Sequence, residues 1–414
     1  MKKIWFYLEP YTFLWKKQGK VMLYNTLSGA QILFESDSTT KFIVDSWDDA
    51  DNMYGVELNE IDIEKSSIQS LISQVRDTFS GDIIEVGLVQ QLPVSLKPFL
   101  NFQIDRKRLE NLKRGVTNKQ YGDMIMHHLF EVSFYIGGEC VNDCPYCTEY
   151  YKQTLCCTKN CNELLKPQQI EKMLQRINSS SRVACINILG GDLFSNNLLP
   201  DYINILNQFG FVKRYFSHYL NINEHTSLIK SYNSTLQIIV TFPFYEHKFE
   251  QAFKLTNIEN LQVSWIFIIS SELEYAQADM LIEKFNIQNS KIMPIYTGNN
   301  YDFFSENIFI SIEDLDQIQL NRRQIFANQT INTADFGKIT VMPNGQVYAN
   351  LNQDALGNIN DDIRELIYSE LVNGKSWLHI RNQEPCVNCI YQWLCPSPSN
   401  YENALGRNNL CHIK

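Results

Sequence analysis

The chain has 414 residues, of which 44% are apolar and 20% are charged, and its formal net charge is −10. This composition is typical of a globular protein long enough for two or three domains. An acidic balance without a strong basic cluster argues against nucleic-acid binding. No segment reaches the roughly 18 apolar residues of a membrane span, and Glu9 and Pro10 interrupt the apolar N-terminus, so no signal peptide is predicted. We therefore expect a cytoplasmic protein that binds neither nucleic acid nor membrane.

Residues 1–120 predict a small α+β domain. The segments KIWFYLE and KVMLYNT flank a connection containing Gly19 and predict a β-hairpin. Apolar residues at helical spacing predict a helix over SIQSLISQVRDTF, and DIIEVGLV predicts a further strand.

Residues 121–325 alternate strand-like and helix-like segments. The predicted strands are FEVSFYIGG, VACINILGG, VKRYFSHYL, LQIIVTF, LQVSWIFIIS and KIMPIYT. Strands separated by helical stretches indicate parallel β/α units. The fold class is therefore α/β, with a partial (β/α)6 barrel that is open on one side. Ligands of such barrels bind at the C-terminal ends of the strands.

Residues 326–414 predict a smaller, cysteine-rich domain. The segment KITVMPNGQVYANL predicts a hairpin because Asn344-Gly345 is a strong turn signal. The segment IRELIYSELV predicts a helix that leads to the last four cysteines.

Eleven cysteines in a reducing compartment need an explanation other than disulfides, and clustered cysteines suggest metal. One group lies between Cys140 and Cys161 and another between Cys386 and Cys411. Cys185 stands alone in an apolar run and is expected to be a buried small hydrophobe.

The segment GGECVNDCPYCTEYY follows the first barrel strand and places Cys140, Cys144 and Cys147 at C-x3-C-x2-C spacing. Three thiolates bind three irons of a 4Fe–4S cubane and leave the fourth iron open for a substrate or cofactor. The alternative is a zinc site, which needs a fourth ligand. Cys156, Cys157 or Cys161 is available for that role.

In this motif and its position the sequence resembles the radical S-adenosylmethionine superfamily. The resemblance extends to Tyr146, because the family usually has an aromatic residue there, near the adenine. It also extends to Gly190, Gly191 and Asp192 at the end of the second strand, where the family has a GGE-like motif that holds the methionine amino group. The shorter Asp192 replaces the usual Glu. The resemblance implies reductive cleavage of S-adenosylmethionine to a 5′-deoxyadenosyl radical, which abstracts hydrogen from a substrate.

The tail places Cys386, Cys389, Cys395 and Cys411 at C-x2-C-x5-C-x15-C spacing. Four thiolates close all positions of a second 4Fe–4S cluster, and a four-cysteine zinc site is the alternative. This region resembles the SPASM extension of radical enzymes that modify peptides, in which this pattern holds an auxiliary cluster.

A full SPASM domain carries a second auxiliary cluster, which we do not expect in this chain. Asn350 stands where that cluster's cysteine before a Leu-Gly-Asn-Ile-like segment is expected. Ser399 stands where a further ligand after Cys395 is expected.

Cys156, Cys157 and Cys161 are expected to be free thiols in a surface loop. The alternatives are that they cap the active site, contact a peptide substrate, or bind a further metal with His127 and His128 as additional ligands. Thr241 and His218, near strand ends, are expected to be structural.

The resemblance predicts an enzyme that crosslinks a ribosomally made precursor peptide through a thioether or carbon–carbon bond. The electron donor is expected to be of flavodoxin or ferredoxin type. The N-terminal domain resembles leader-recognition elements of such peptide maturases. The alternatives are peptide epimerisation, oxidation of the sulfatase-maturase kind, and a non-catalytic scaffold that binds the peptide.

Overall fold

The computed structural model describes residues 3–87, 93–98, 118–145, 147–159, 163–179, 182–231 and 233–413. Tyr146 and Cys161 therefore lie outside the described residues. None of the described helices combines the length and the apolar character that crossing a membrane requires.

The N-terminal part contains two antiparallel sheets and three helices. In chain order its elements are β1 (Lys3–Leu8), β2 (Thr12–Lys17), β3 (Lys20–Asn25), β4 (Gln31–Glu35), α1 (Lys41–Asp48), β5 (Gly55–Asn59), α2 (Glu60–Ile63), α3 (Ser66–Asp77) and β6 (Gly81–Glu85). One sheet has the order β5-β1-β6 and the other β2-β3-β4. The helix and the last strand predicted for this region are confirmed as α3 and β6.

The predicted hairpin is wrong in its first strand. The strands that flank Gly19 are β2 and β3, which pair from Thr12 opposite Asn25 onward. The segment KIWFYLE is β1, and it pairs with β5 and β6 in the other sheet. A turn reverses the chain between β1 and β2, where the amide of Thr12 donates to the carbonyl of Glu9 at 2.9 Å.

The central sheet contains nine described strands in the order β12-β11-β10-β9-β8-β7-β13-β14-β15. They are β7 (Glu131–Tyr135), β8 (Cys185–Leu189), β9 (Val212–His218), β10 (Ser234–Val240), β11 (Val263–Ile269), β12 (Ser290–Pro294), β13 (Lys338–Val341), β14 (Gln346–Tyr348) and β15 (Gly357–Asn358). Strands β7 to β12 are parallel and adjacent in chain order, as the sequence predicts. The C-terminal ends of these strands therefore share one edge.

Helices connect the parallel strands and follow them. They are α4 (Asn118–Met126), α5 (Cys147–Gln153), α6 (Pro167–Asn178), α7 (Leu199–Leu206), α8 (Glu246–Ile258), α9 (Glu272–Lys284), α10 (Tyr301–Asn307), α11 (Ile312–Gln317), α12 (Arg322–Thr330), α13 (Ile363–Asn373) and α14 (Asn400–Leu405). Each sheet face has its own apolar core, because successive strand residues point to opposite faces. Phe134 belongs to the core shared with α6 to α9, whereas Tyr135 belongs to the core on the other face.

The hairpin predicted around Asn344-Gly345 is confirmed as β13 and β14, with Gly345 in the left-handed region at φ +81°. Its position differs from the predicted domain division. Strand β13 pairs in parallel with β7 and so extends the central sheet.

The β2-β3-β4 sheet is covered on both faces. Leu14 and Leu23 point into a core with α1 and α3. Phe13 and Tyr24, on the opposite face, pack with residues of the C-terminal region such as Leu394. The Tyr24 hydroxyl accepts a hydrogen bond from the Leu320 amide at 2.6 Å. The first and last parts of the chain are thus in direct contact.

Candidate functional site

The first cysteine group lies at the C-terminal edge of the parallel sheet, as predicted. Strand β7 ends at Tyr135, and Gly137 and Gly138 turn the chain with φ of +85° and +114°. Cys140 and Cys144 follow in the loop.

Cys147 is the first residue of α5. Its amide donates to the carbonyl of Cys144 at 3.4 Å, which draws these two cysteines into one turn.

The three thiols influence one another electrostatically. Burial, together with the neighbouring thiols of Cys157, Cys147 and Cys140, raises the pKa of Cys144 to about 12. Burial also raises the pKa values of Cys140 and Cys147. Ionised together without a cation, these groups would repel one another in a half-buried site. Cationic irons remove that penalty, so the donor set fits an iron–sulfur cluster.

No group of three or more His, Cys, Asp or Glu side chains in the described part of the chain is arranged to hold a single metal ion. Zinc ligands must converge on one ion. Cysteines of a cubane bind different irons and do not need to converge. Neither cysteine group shows such a convergence among the described residues.

Polar side chains from β9 and β10 surround the cysteine loop. The amide of Asn221 donates to the Cys140 sulfur at 3.7 Å and contacts Asn142 at 2.5 Å. The Thr241 hydroxyl hydrogen-bonds to the Cys144 thiol, and His218 Nε2 lies 2.9 Å from Thr241 Oγ1.

His218 is neutral at physiological pH, because burial lowers its pKa to about 4. The sequence placed His218 and Thr241 at strand ends but gave no signal for Asn221, whose role depends on a contact between distant loops.

The Gly-Gly-Asp segment lies directly against the cysteine loop. A Cβ on Gly190 would meet the carbonyl oxygen of Gly137 at 2.6 Å, and one on Gly191 would meet that of Gly138 at 2.3 Å. The Asp192 amide donates to the carbonyl of Glu139 at 2.9 Å. Glycine is therefore required at both positions for the two loops to approach.

The Asp192 carboxylate caps the short 3₁₀ turn Leu193–Ser195. One oxygen accepts from the amides of Phe194 and Ser195, and the other accepts from the Ser195 hydroxyl at 2.7 Å. The main-chain atoms of Gly190 and Gly191 are thus fixed by a rigid turn that follows them.

The prediction that Cys156 and Cys157 lie in a surface loop is wrong. They are buried rather than in a surface loop, with exposed fractions of 3% and 6%. They pack on the face of the sheet that carries Tyr135. The hydrogen bond with Cys156, together with burial, raises the pKa of Cys157 well above its ordinary value. The Cys157 thiol is close enough to Cys140, Cys144 and Cys147 to affect their pKa values.

His128 is not part of this site. It precedes β7, whereas the cysteines follow the end of β7, and its ring contacts Phe336.

The second cysteine group gathers in the C-terminal region. Cys386 begins the 3₁₀ turn Cys386–Asn388, and Cys411 lies next to Ile310 through an isolated bridge. Burial, against the lowering effect of Arg381 and together with the other three thiols, raises the pKa of Cys395 to about 12. The four sulfurs are close enough to oppose one another's ionisation, so this donor set also fits a cluster.

The two positions expected to lack a cluster ligand take part in hydrogen bonds. Asn350 Nδ2 donates to Asp335 Oδ2 and to Asn400 Oδ1, both at 2.7 Å. The Ser399 hydroxyl donates to Glu402 at 2.9 Å, at the start of α14.

No protein-family profile matches the chain, and no curated protein matches it in sequence. Its fold is similar to that of solved structures of Streptococcus suis SuiB. The crystal structure of Streptococcus suis SuiB matches 98% of this chain and 100% of its own, with a TM-score of 0.51 and 13% identity. SuiB bound to S-adenosylmethionine matches over the same shares with a TM-score of 0.50 and 13% identity. A further SuiB structure contains the precursor peptide SuiA and matches 99% of each chain, with a TM-score of 0.49 and 13% identity.

Gly191→Ala is expected to displace the cysteine loop, because the new methyl group overlaps the Gly138 carbonyl. Overpacking of this kind lowers the free energy of unfolding by about 1–3 kcal/mol. We also expect less iron to be bound after reconstitution. The control is Gly210→Ala, whose Cβ meets no heavy atom within 4 Å. Equal stability and iron content in the two variants would show that the loops tolerate a wider separation.

Asp335→Asn is expected to remove a pH dependence of stability. Burial raises the pKa of Asp335 to about 6, although the hydrogen bond from Asn350 opposes the shift. The folded state thus favours the protonated carboxyl, and the free energy of unfolding falls by ~3 kcal/mol as the pH rises from about 4 to about 6. Urea unfolding at a series of pH values measures this slope. Asp302→Asn is the control, because Asp302 is exposed, and it should keep the pH dependence of the free energy of unfolding. If Asp335→Asn also keeps that dependence, Asp335 is not its source.

Proposed function

We propose that the chain is a radical S-adenosylmethionine enzyme that crosslinks a ribosomally made precursor peptide through a thioether or carbon–carbon bond. One observation carries the proposal. Cys140, Cys144 and Cys147 gather at the C-terminal edge of the parallel sheet, directly against the Gly190-Gly191 loop.

In this proposal Cys140, Cys144 and Cys147 hold a 4Fe–4S cluster. When bound, that cluster supplies an open iron for S-adenosylmethionine and the electron for its cleavage. Gly190, Gly191 and Asp192 bind the methionine end of the cofactor.

Other residues complete the proposed site. Tyr146, which lies outside the described residues, is assigned to the adenine by the resemblance to the family. Asn221 and Thr241 donate to the ligand sulfurs and orient them, in the way that outer-shell groups support metal ligands.

Cys386, Cys389, Cys395 and Cys411 hold one auxiliary 4Fe–4S cluster in the proposal. Because all four positions are then closed by protein, this cluster accepts or relays an electron and binds no substrate. The initial electron comes from a flavodoxin or ferredoxin type donor. Iron analysis of the reconstituted protein is expected to give two clusters.

In the proposal, residues 1–120 bind the leader, residues 121–325 carry out the radical chemistry and residues 326–414 hold the auxiliary cluster. Support for leader binding comes from a groove of roughly 590 Å³ between α3 and β6, lined by Ile72, Ile83 and Arg76. Among the described strands β6 pairs with β1 alone, and Gly81, Asp82 and Ile83 of β6 line the groove. An extended leader is expected to add there as a strand.

The buried thiols favour peptide epimerisation as a second candidate function. Epimerisation needs a hydrogen-atom donor near the radical. Cys157 lies close to Cys144, and Cys156 packs in the same apolar cluster as Cys157. A crosslink lowers the mass of the peptide by the hydrogens lost, whereas epimerisation leaves the mass unchanged. The mass of the treated peptide therefore distinguishes the two reactions. Oxidation of the sulfatase-maturase kind and a non-catalytic scaffold that binds the peptide are less favoured, because neither uses the two buried thiols.

Cys144→Ala is expected to reduce 5′-deoxyadenosine formation to background, because the cluster loses one of three ligands. The assay uses protein reconstituted without oxygen, with dithionite and S-adenosylmethionine. Cys185→Ala is the matched control, since Cys185 is a buried thiol at the start of β8, away from the site. Absence of the product in wild type with intact clusters would favour the non-catalytic scaffold.

Ile72→Glu is expected to weaken leader binding about tenfold, or ~1.4 kcal/mol, because it places a charge in the apolar part of the groove. Fluorescence anisotropy with labelled candidate leader peptides measures the affinity. Ile61→Glu is the control, because Ile61 is 65% exposed and does not line the groove. Equal affinities in both variants would place the leader elsewhere.

A further inference from the structure

A buried arginine lies beside the second cysteine group. Arg381 is 7% exposed, and its Nη1 atom lies 3.8 Å from the sulfur of Cys386. The same guanidinium donates through Nε to the carbonyl of Pro396 at 2.5 Å and through Nη1 to that of Asn408 at 3.5 Å. Pro396 directly follows Cys395, and Asn408 precedes Cys411. The two hydrogen bonds therefore fix the guanidinium beside the cysteines.

The partner of Arg381 is an equally buried carboxylate. Arg381 Nη2 lies 2.8 Å from Glu402 Oε1, and both side chains are about 5–6% exposed. Glu402 Oε2 accepts from the Ser399 hydroxyl at 2.9 Å. The Arg381 guanidinium therefore lies at the Cys386 sulfur, and the Glu402 carboxylate is held by a hydrogen bond at the start of α14.

Charge at this depth affects electron transfer strongly, because the low-dielectric interior screens it little. A cluster bound by four thiolates is a net anion and becomes more negative when it accepts an electron. A fixed cation near a ligand sulfur stabilises the reduced form, and a fixed carboxylate stabilises the oxidised form. Lys17, whose Nζ donates to the carbonyl of Val387 at 2.7 Å, is more exposed and therefore a weaker influence.

We propose that the Arg381–Glu402 ion pair sets the reduction potential of the auxiliary cluster held by Cys386, Cys389, Cys395 and Cys411. Arg381 favours the reduced cluster, and Glu402 limits that effect. This inference rests on the proposed function, because it requires a cluster at these four cysteines. Both are tuning residues that act through the ligands and do not touch a substrate.

The test is a redox titration followed by electron paramagnetic resonance on the full chain. Cys140, Cys144 and Cys147 are all changed to Ala in the parent protein, so that the auxiliary cluster alone contributes to the signal. Glu402→Gln keeps the shape of the side chain and leaves the cation uncompensated, so the midpoint potential is expected to become more positive. Arg381→Gln removes the cation, and the potential is expected to become more negative.

Two further variants make the result specific. Arg381→Lys keeps the charge and is expected to stay nearer the parent potential than Arg381→Gln. Arg407→Gln is the matched control, because Arg407 lies in the same segment but bonds to the Tyr301 hydroxyl. It is expected to leave the potential unchanged. Iron and sulfide are quantified for each protein, so that loss of the cluster is distinguished from a shifted potential.

The outcomes separate the two proposals. If the parent binds an intact cluster and Glu402→Gln does not raise the potential, the tuning role is overturned and the cluster assignment stands. If the parent binds no iron–sulfur cluster at these cysteines, the auxiliary cluster and the tuning role are both overturned. If Arg381→Gln does not retain a cluster, Glu402→Gln alone tests the tuning role. A more positive midpoint potential supports that role, and an unchanged or more negative one overturns it.

Discussion

The close contact between the loops after β7 and β8 is the constraint on which the candidate site depends. At Gly190 and Gly191 a side chain would collide with the main-chain oxygens of Gly137 and Gly138. Because the loops meet through backbone atoms, the second strand supports the residue directly before Cys140. The cysteines are thus positioned by main-chain geometry, which is less variable than side-chain packing.

The two cysteine groups have different surroundings, although their thiols are chemically alike. Cys140 is half-buried and receives a hydrogen bond from a neutral amide, that of Asn221. Cys386 is buried and lies beside the charged Arg381. Since charge and hydrogen bonding around the sulfurs set the potential of a cluster, two sites built from the same ligands acquire different electronic properties. In the proposed function, such a difference suits an open site for cofactor cleavage and a closed site for electron relay.

Local patterns in the sequence predicted the six parallel strands, the helices α3 and α13 and the turn at Gly345, because each depends on nearby residues. They also placed both cysteine groups and the Gly-Gly-Asp segment on the correct loops. The features that the sequence analysis predicted wrongly or missed depend on contacts between residues far apart in the chain. The pairing of β1 with β5, the docking of β13 on β7, and the burial of Cys156 and Cys157 are set by segments far apart in the chain. For the same reason Arg381 gave no signal, since an isolated arginine is usually exposed.

Asn350 takes part in a hydrogen-bond network that joins separate parts of the chain. The resemblance to SPASM enzymes predicts a cysteine ligand of a second auxiliary cluster at position 350. Such a cluster would connect the end of β14 to neighbouring segments. In this chain Asn350 bonds to Asp335 and Asn400, and the amide of Asn352 donates to the carbonyl of Lys152 at 2.8 Å. These hydrogen bonds connect α5, which begins at Cys147, with α14, which carries Glu402. A polar network of this kind holds the two proposed cluster regions in a fixed relation to each other.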